Sequence, residues 1–373
     1  MKMSDLKKVI PIMKACIFES KIIEEYGEIH FLKDSIVTFN DECIIQYPCK
    51  TNINQEFSVN FGSFEKVFGK LHEEAIFNIV DNKLLIKSGN ARIKLILRPC
   101  NLKLIKKRLE GLGVPKYKLQ NPYHFNLFHT LELCGTAIVP FGSLSQPFNS
   151  YLYYKDNYMI GCSAFKAIKK SLKITDKEKI PPFIISGDGA TVLVKTWEVL
   201  TKEDHAESSV IYEINKDHLS FKFYNMVFIT ILNSYGIVKY PIEKINKIFS
   251  LNGIEIKYPD RQTLSGIIER VSLFPGEFED TTERIFQEFD DKGIKFFSEN
   301  AAGSIKERCY LKQKIIGRCF SFQHKDFKVI LDKLLIDEEK KIPICLHDEK
   351  TSAFIFGDDK CKYIIAATKE IIK

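Results

Sequence analysis

The residues able to ligate a metal or attack a substrate are ten cysteines and eight histidines, and their spacing suits neither task. The cysteines lie at 16, 43, 49, 100, 134, 162, 309, 319, 345 and 361, with no Cys-x-x-Cys and no Cys/His group at zinc-ligand spacing. His124 and His129 are five apart, which does not put them on one helical face. Most of the thiols sit in apolar stretches such as Ile344-Cys345-Leu346, so they read as buried free cysteines of a reducing compartment. Gly187-Asp188-Gly189 lacks the third glycine of a nucleotide loop and reads as a turn with a helix cap. The acidic pairs Glu279-Asp280, Asp290-Asp291 and Asp358-Asp359 adjoin turns. Gly-x-x-x-x-Gly-Lys-Ser/Thr, Gly-x-Ser-x-Gly and His-Glu-x-x-His are all missing. The sequence therefore gives no support to an enzyme, and no metal or cofactor is expected.

The elements carrying these residues follow a plan that recurs three times. From Phe57 come a strand, a helical stretch over 64–71, an acidic loop and three strands, 75–80, 84–87 and 91–97. Asp81-Asn82 and Ser88-Gly89-Asn90 supply the turns, with residue types that hairpins use. The same order restarts at Phe183 and at Phe320, 126 and 137 residues further on. An amphipathic helix leads each unit: 6–16, with Leu6, Val9, Ile10 and Met13 on one face; 127–138; and 264–274. Pro11 lies inside the first, where a ring without an N–H favours a kink. The chain thus parses into three α+β domains, 1–122, 123–250 and 251–373, each with two helices and two sets of antiparallel strands. The joins fall at 101–123 and about 241–259.

With 373 residues, 45% of them hydrophobic and 28% charged, the chain can bury a proper core. Its net charge of +7 is compatible with a polyanion without requiring one. The domains carry +6, +2 and −1 in order, so the surplus lies in the first and its join, which holds Lys103, Lys106, Lys107 and Arg108. The expected helices place Lys8, Lys14, Lys66, Lys70, Lys195, Lys325 and Lys328 at polar positions. One exposed lysine is ordinary, but equivalent helices all bearing lysine would attract phosphates without reading bases. No apolar run approaches 18 residues and no secretory pattern opens the chain, so a cytoplasmic protein without a membrane segment is expected.

Three repeats of a doubled helix-and-strand unit in this length resemble a DNA polymerase sliding clamp of the bacterial three-domain type. The likeness is best over 57–97, where the Lys87-Ser88-Gly89-Asn90-Ala91-Arg92 hairpin follows the clamp's first domain. It is also good over 209–241 and 320–368, where Lys362-Tyr363-Ile364-Ile365-Ala366 is similar to the clamp's last strand. The resemblance implies a head-to-tail homodimer ring around duplex DNA, helices lining the hole, sequence-independent contact, and peptides of the polymerase and clamp loader as partners. By register, the partner pocket would use Cys162, Phe165, Lys166, Ile168, Pro241, Ile245, Ile364, Ile365, Ala366 and Thr368. Two departures alter its rim. The family's Asp-Gly-His-Arg-Leu stands here as Ser163-Ala164-Phe165-Lys166-Ala167, and its Met-Pro-Met-Arg ending as Ala366-Ala367-Thr368-Lys369. A different partner peptide is expected, as for a phage or divergent replicon clamp. The alternative is a repeated-domain binding or structural scaffold without DNA.

Overall fold

A computed structural model describes residues 3–18, 23–51, 55–110, 116–119, 123–139, 147–172, 182–201, 210–214, 218–223, 226–231, 240–250, 254–256, 259–277, 283–310, 318–333, 342–345, 351–358 and 360–370. Two compact units emerge, Met1–Glu132 with Lys173–Val238, and Leu133–Leu172 with Lys239–Lys373. Among the described residues eight α-helices are formed: α1 (Met3–Lys14), α2 (Phe61–Phe68), α3 (Leu102–Glu110), α4 (Tyr123–Gly135), α5 (Gly187–Thr201), α6 (Ile242–Phe249), α7 (Arg261–Val271) and α8 (His324–Lys333). None is long and apolar enough to cross a membrane.

In the first unit one antiparallel sheet runs Phe57–Asn60, Glu28–Phe31, Ser35–Phe39, Cys43–Pro48, Met226–Ile231, His218–Phe223, Val210–Ile214 and Lys116–Leu119. Strands of the first and second repeats therefore share one ladder, with Ile44 opposite Ile229 and Ile45 opposite Phe228. A separate three-stranded sheet holds Ile76–Val80, Lys83–Ser88 and Ala91–Ile96. Its first turn uses Asp81 and Asn82 at φ of 50° and 56°, a left-handed conformation that these two residue types tolerate and two-residue hairpins require.

The second unit repeats the device. Its sheet runs Tyr151–Lys155, Tyr158–Cys162, Lys166–Ser171, Cys361–Glu370, Arg318–Gln323, Glu283–Asp290, Gly293–Asn300 and Gly303–Tyr310. Second and third repeats join where Ile168 faces Tyr363 and Ala167 faces Ile364. Thr351–Asp358 also pairs with Cys361–Glu370 and leads to Ile342–Cys345 and Ile254–Ile256. Gly161 is required where the chain passes the carbonyl of Cys134, since a Cβ there would lie 2.2 Å from that oxygen.

The helices stand where the apolar spacing puts them. Leu6, Val9, Ile10 and Met13 are all buried, and α1 runs through Pro11 with that ring on its exposed side. Asn60 caps α2 by accepting from the Ser63 N–H at 2.9 Å, and Asp260 caps α7 by accepting from Thr263 at 2.8 Å. The Phe128 ring of α4 stacks on Trp197 of α5 at 4.3 Å between centroids.

The joins carry helices that the sequence reading did not assign. Each carries a helix, α3 in the first and α6 in the second, because Leu102, Ile105 and Leu109, and likewise Ile242, Ile245 and Phe249, recur at i, i+3 and i+7. Ile105 is fully buried against Tyr26, Val37, Phe39 and Ile229.

Candidate partner pocket and basic helix faces

The ladder of the second unit sets the geometry of an apolar cluster. Cys162 lies opposite Ala167, Ala167 opposite Ile364, and Ile364 opposite Ile355, so four neighbouring strands offer one row of side chains on one face. The face of α6 that carries Ile245 and Phe249 closes over this row and over Ile160. Half-buried Phe148, Ala167, Tyr240 and Ile242 form its rim, and Pro241 stands at the N-terminal cap of α6. Tyr240 donates to the Ile160 carbonyl at 3.1 Å and stacks on Tyr153 at 5.0 Å. Burial pushes the Cys162 thiol up to about 11, and burial followed by Cys162 itself raises the Tyr240 phenol well above its usual value. Both groups are neutral at physiological pH. The place is therefore uncharged and apolar and offers no group for proton transfer at neutral pH.

Of the residues assigned to the pocket from sequence, the structure gathers Cys162, Ile245 and Ile364, with Pro241 at the start of α6. Lys166, Ile168 and Ile365 point to the other side of the same strands, because the side-chain period of a strand is two. Ile168 and Ile365 are buried there, and Lys166 binds Asp326 at 2.8 Å. Phe165 lies in the hairpin before Lys166–Ser171 with 54% of its surface exposed. Ala366 and Thr368 occupy the strand Cys361–Glu370, with Ala366 opposite Ala353 and Thr368 opposite Thr351; their side chains lie outside the described residues. Sequence reading missed Ile160, Phe249 and Ile355. Phe249 was within reach, standing one helical turn after Ile245.

The seven lysines assigned to phosphate contact are all exposed. Lys8 and Lys14 are on α1, which packs against α5, the bearer of Lys195. Lys66 is on α2 and Lys70 just past its end. Lys325 and Lys328 are on α8, which packs against α7. Among the described residues, Lys14 binds Glu65 at 2.7 Å and Lys325 binds Glu283 at 3.1 Å. Surface pairs of this kind are weak, so a phosphate can compete for either ammonium.

Repeated helix-and-strand units fused through shared sheets define a processivity-clamp architecture. The chain has that fold. It superposes on the DNA polymerase III beta subunit of Thermotoga maritima with a TM-score of 0.78 at 13% identity, covering 100% of this chain and 99% of that one. The sliding clamp of Bacillus subtilis gives 0.75 at 15% identity over 99% and 98% of the two chains. The Pseudomonas aeruginosa subunit gives 0.74 at 13% identity over 100% and 99%. No protein-family model matches the sequence, and no curated relative does.

Proposed function

We propose that the chain is a non-catalytic DNA sliding clamp, a cytoplasmic processivity factor that encircles duplex DNA and tethers a replicative polymerase. The observation that supports this most is the end-to-end fold likeness, in which all three repeats have counterparts in clamps of nearly equal length. Each repeat, 1–122, 123–250 and 251–373, is then one clamp domain. Lysines on α1, α2, α5 and α8 face the phosphates in a sequence-independent contact. Peptides of the polymerase and clamp loader dock over Cys162, Ile245 and Ile364, with Pro241 and the exposed Phe165 at the rim.

Ring closure needs two copies joined head to tail, first domain to third. Two sheet ends fit that role. Among the described residues Ala91–Ile96 and Gly303–Tyr310 are edge strands, each of which offers backbone groups to a second chain. They carry two of the most exposed large apolar residues, Ile96 at 75% and Tyr310 at 77%. The +6 and −1 of the first and third domains favour the same pairing.

Light scattering together with retention on DNA tests the reading. A particle of about twice 43.1 kDa that stays on closed circular DNA at high salt and runs off linear DNA is the expected result. Equal release from both forms would leave the DNA-free scaffold as the better account.

A further inference from the structure

Cys16 and Cys43 are 27 positions apart in the chain and meet in the core of the first unit, with their sulfurs 3.2 Å from each other. Cys16 stands in the turn that ends α1, and Cys43 opens the strand Cys43–Pro48. Hydrogen bonds fix the two segments in this register. Cys16 Sγ donates to the Cys43 carbonyl at 3.4 Å, and Cys43 Sγ donates to Asn40 Oδ1 at 3.3 Å. Asn40 also donates to the Cys16 carbonyl at 3.3 Å and accepts from the Cys43 N–H at 2.9 Å. Just before the turn, Thr38 donates to the Met13 carbonyl at 3.2 Å. Neither thiol takes part in the apolar cluster or in the basic helix faces.

We infer that Cys16 and Cys43 are a redox modification site, at which a peroxide converts the two thiols into a disulfide that staples the end of α1 to the central sheet. A disulfide of about 2.05 Å asks the sulfurs to close by about 1.2 Å. One thiol, after giving its proton to solvent, attacks hydrogen peroxide: an S–O bond forms, the O–O bond breaks and hydroxide leaves. The second sulfur then attacks the sulfenic acid, an S–S bond forms, the S–O bond breaks, and a second hydroxide leaves. With the two thiol protons these make two waters, so two electrons pass from the sulfurs to the peroxide. Both cysteines are buried, but the way in is short, because Ile17 is half-buried and Phe18 beside it is 62% exposed. Burial, and then the Cys16 neighbour, raise the Cys43 thiol, which makes the reaction slow at neutral pH and faster in mild alkali. In a reducing compartment such a bond is transient and reports oxidation. The inference stands apart from the clamp reading.

Peptide mapping of the intact protein tests it. The folded protein is treated with hydrogen peroxide at mildly alkaline pH, its remaining thiols are alkylated, and it is digested with trypsin without reduction. Cleavage after lysine releases Cys16 in peptide 15–21 and Cys43 in peptide 34–50. The expected product joins these two, is two hydrogens lighter than their sum, fragments to place the bond at Cys43 and not Cys49, and separates in dithiothreitol. A different pair joined first, sulfinic acid without linkage, or linkage only in urea-unfolded protein overturns the inference. C16S or C43S should abolish the product, and the map of the unaltered chain decides the matter if either variant folds poorly. Oxidation should also raise the melting temperature, since closing this loop restricts the unfolded chain. A fall or no change would overturn the staple.

Discussion

Lys166 Nζ donates to Asp326 Oδ1 at 2.8 Å, tying the strand Lys166–Ser171 to α8 across 160 residues of sequence. Side-chain exposures of 20% and 7% put the pair largely out of water. Breaking it from one side strands a buried carboxylate. Lys166→Met should therefore destabilise by about 3 kcal/mol, while K166M/D326L should recover most of the loss because no charge is left unpaired. Urea unfolding of the two variants measures both effects, and equal losses would mean the pair is not coupled.

The pocket makes a split prediction about stability and binding. Ile364→Ala empties a packed site and should cost about 2–4 kcal/mol. Phe165→Ala, at an exposed hairpin position, should stay within about 0.5 kcal/mol of the parent protein. Both should weaken a polymerase-derived peptide by roughly 1–2 kcal/mol, read by titration calorimetry. Undiminished affinity in Phe165→Ala would take that ring out of the interface.

Acid should loosen the fold through two of its buried or half-buried histidines. His30 is fully buried and stacks on Phe39 at 5.0 Å, and burial, opposed by the Glu28 and Glu25 carboxylates, lowers its pKa. His324 is lowered in the same way, with Glu283 opposing. For a histidine whose folded pKa is depressed, the unfolded chain binds the proton more readily. Stability is then fully present above about pH 6.5 and declines as pH falls from there towards the folded pKa. Melting temperature between pH 7.5 and 5 should drop, and His30→Gln should flatten the slope. A slope unchanged in that variant would assign the effect elsewhere.

The sheet edges predict the assembly state. Ile96→Lys combined with Tyr310→Lys removes two exposed apolar groups and sets cation against cation across the proposed contact. Sedimentation should show a monomer that keeps its melting temperature to within a few degrees. A variant that remains dimeric would place the contact on other strands.

Charge reversal on the helices tests the DNA contact without touching the pocket. Lys66, Lys70, Lys195 and Lys328 are exposed and bind no carboxylate among the described residues. Changing all four to Glu should hinder loading onto circular DNA and slow sliding, whereas any single change should be nearly silent. Each contributes only a screened attraction over about 8 Å at physiological salt. A fourfold variant that loads normally would contradict a DNA channel lined by these helices.

The repeats were legible because each strand and helix carries its own period, and the hairpin at Asp81-Asn82 carries its own turn chemistry. The helix α3 was obscured by Lys103, Lys106, Lys107 and Arg108, which made its segment read as a basic join, although Leu102, Ile105 and Leu109 already marked an apolar face. In the pocket, the Cys162–Ile364 row depends on which strands lie side by side, and that pairing joins residues some two hundred positions apart. No local signal carries it. The opposite orientation of Ile364 and Ile365 follows from strand alternation alone and could have been drawn from the sequence.

The ladder that sets Ile44 against Ile229 has a consequence for cutting the chain into pieces. The recurring element pattern suggests thirds, but melting as a cooperative event should follow the shared sheets. A fragment ending near residue 122 would leave Cys43–Pro48 without the strand that covers its outer edge, and would carry Lys116–Leu119 without its partner Val210–Ile214. Such a fragment exposes a raw edge in the middle of what was a continuous sheet, an invitation to self-association. The repeating unit of the chain and its unit of stability are therefore different objects, and only the second is expected to hold together alone in solution.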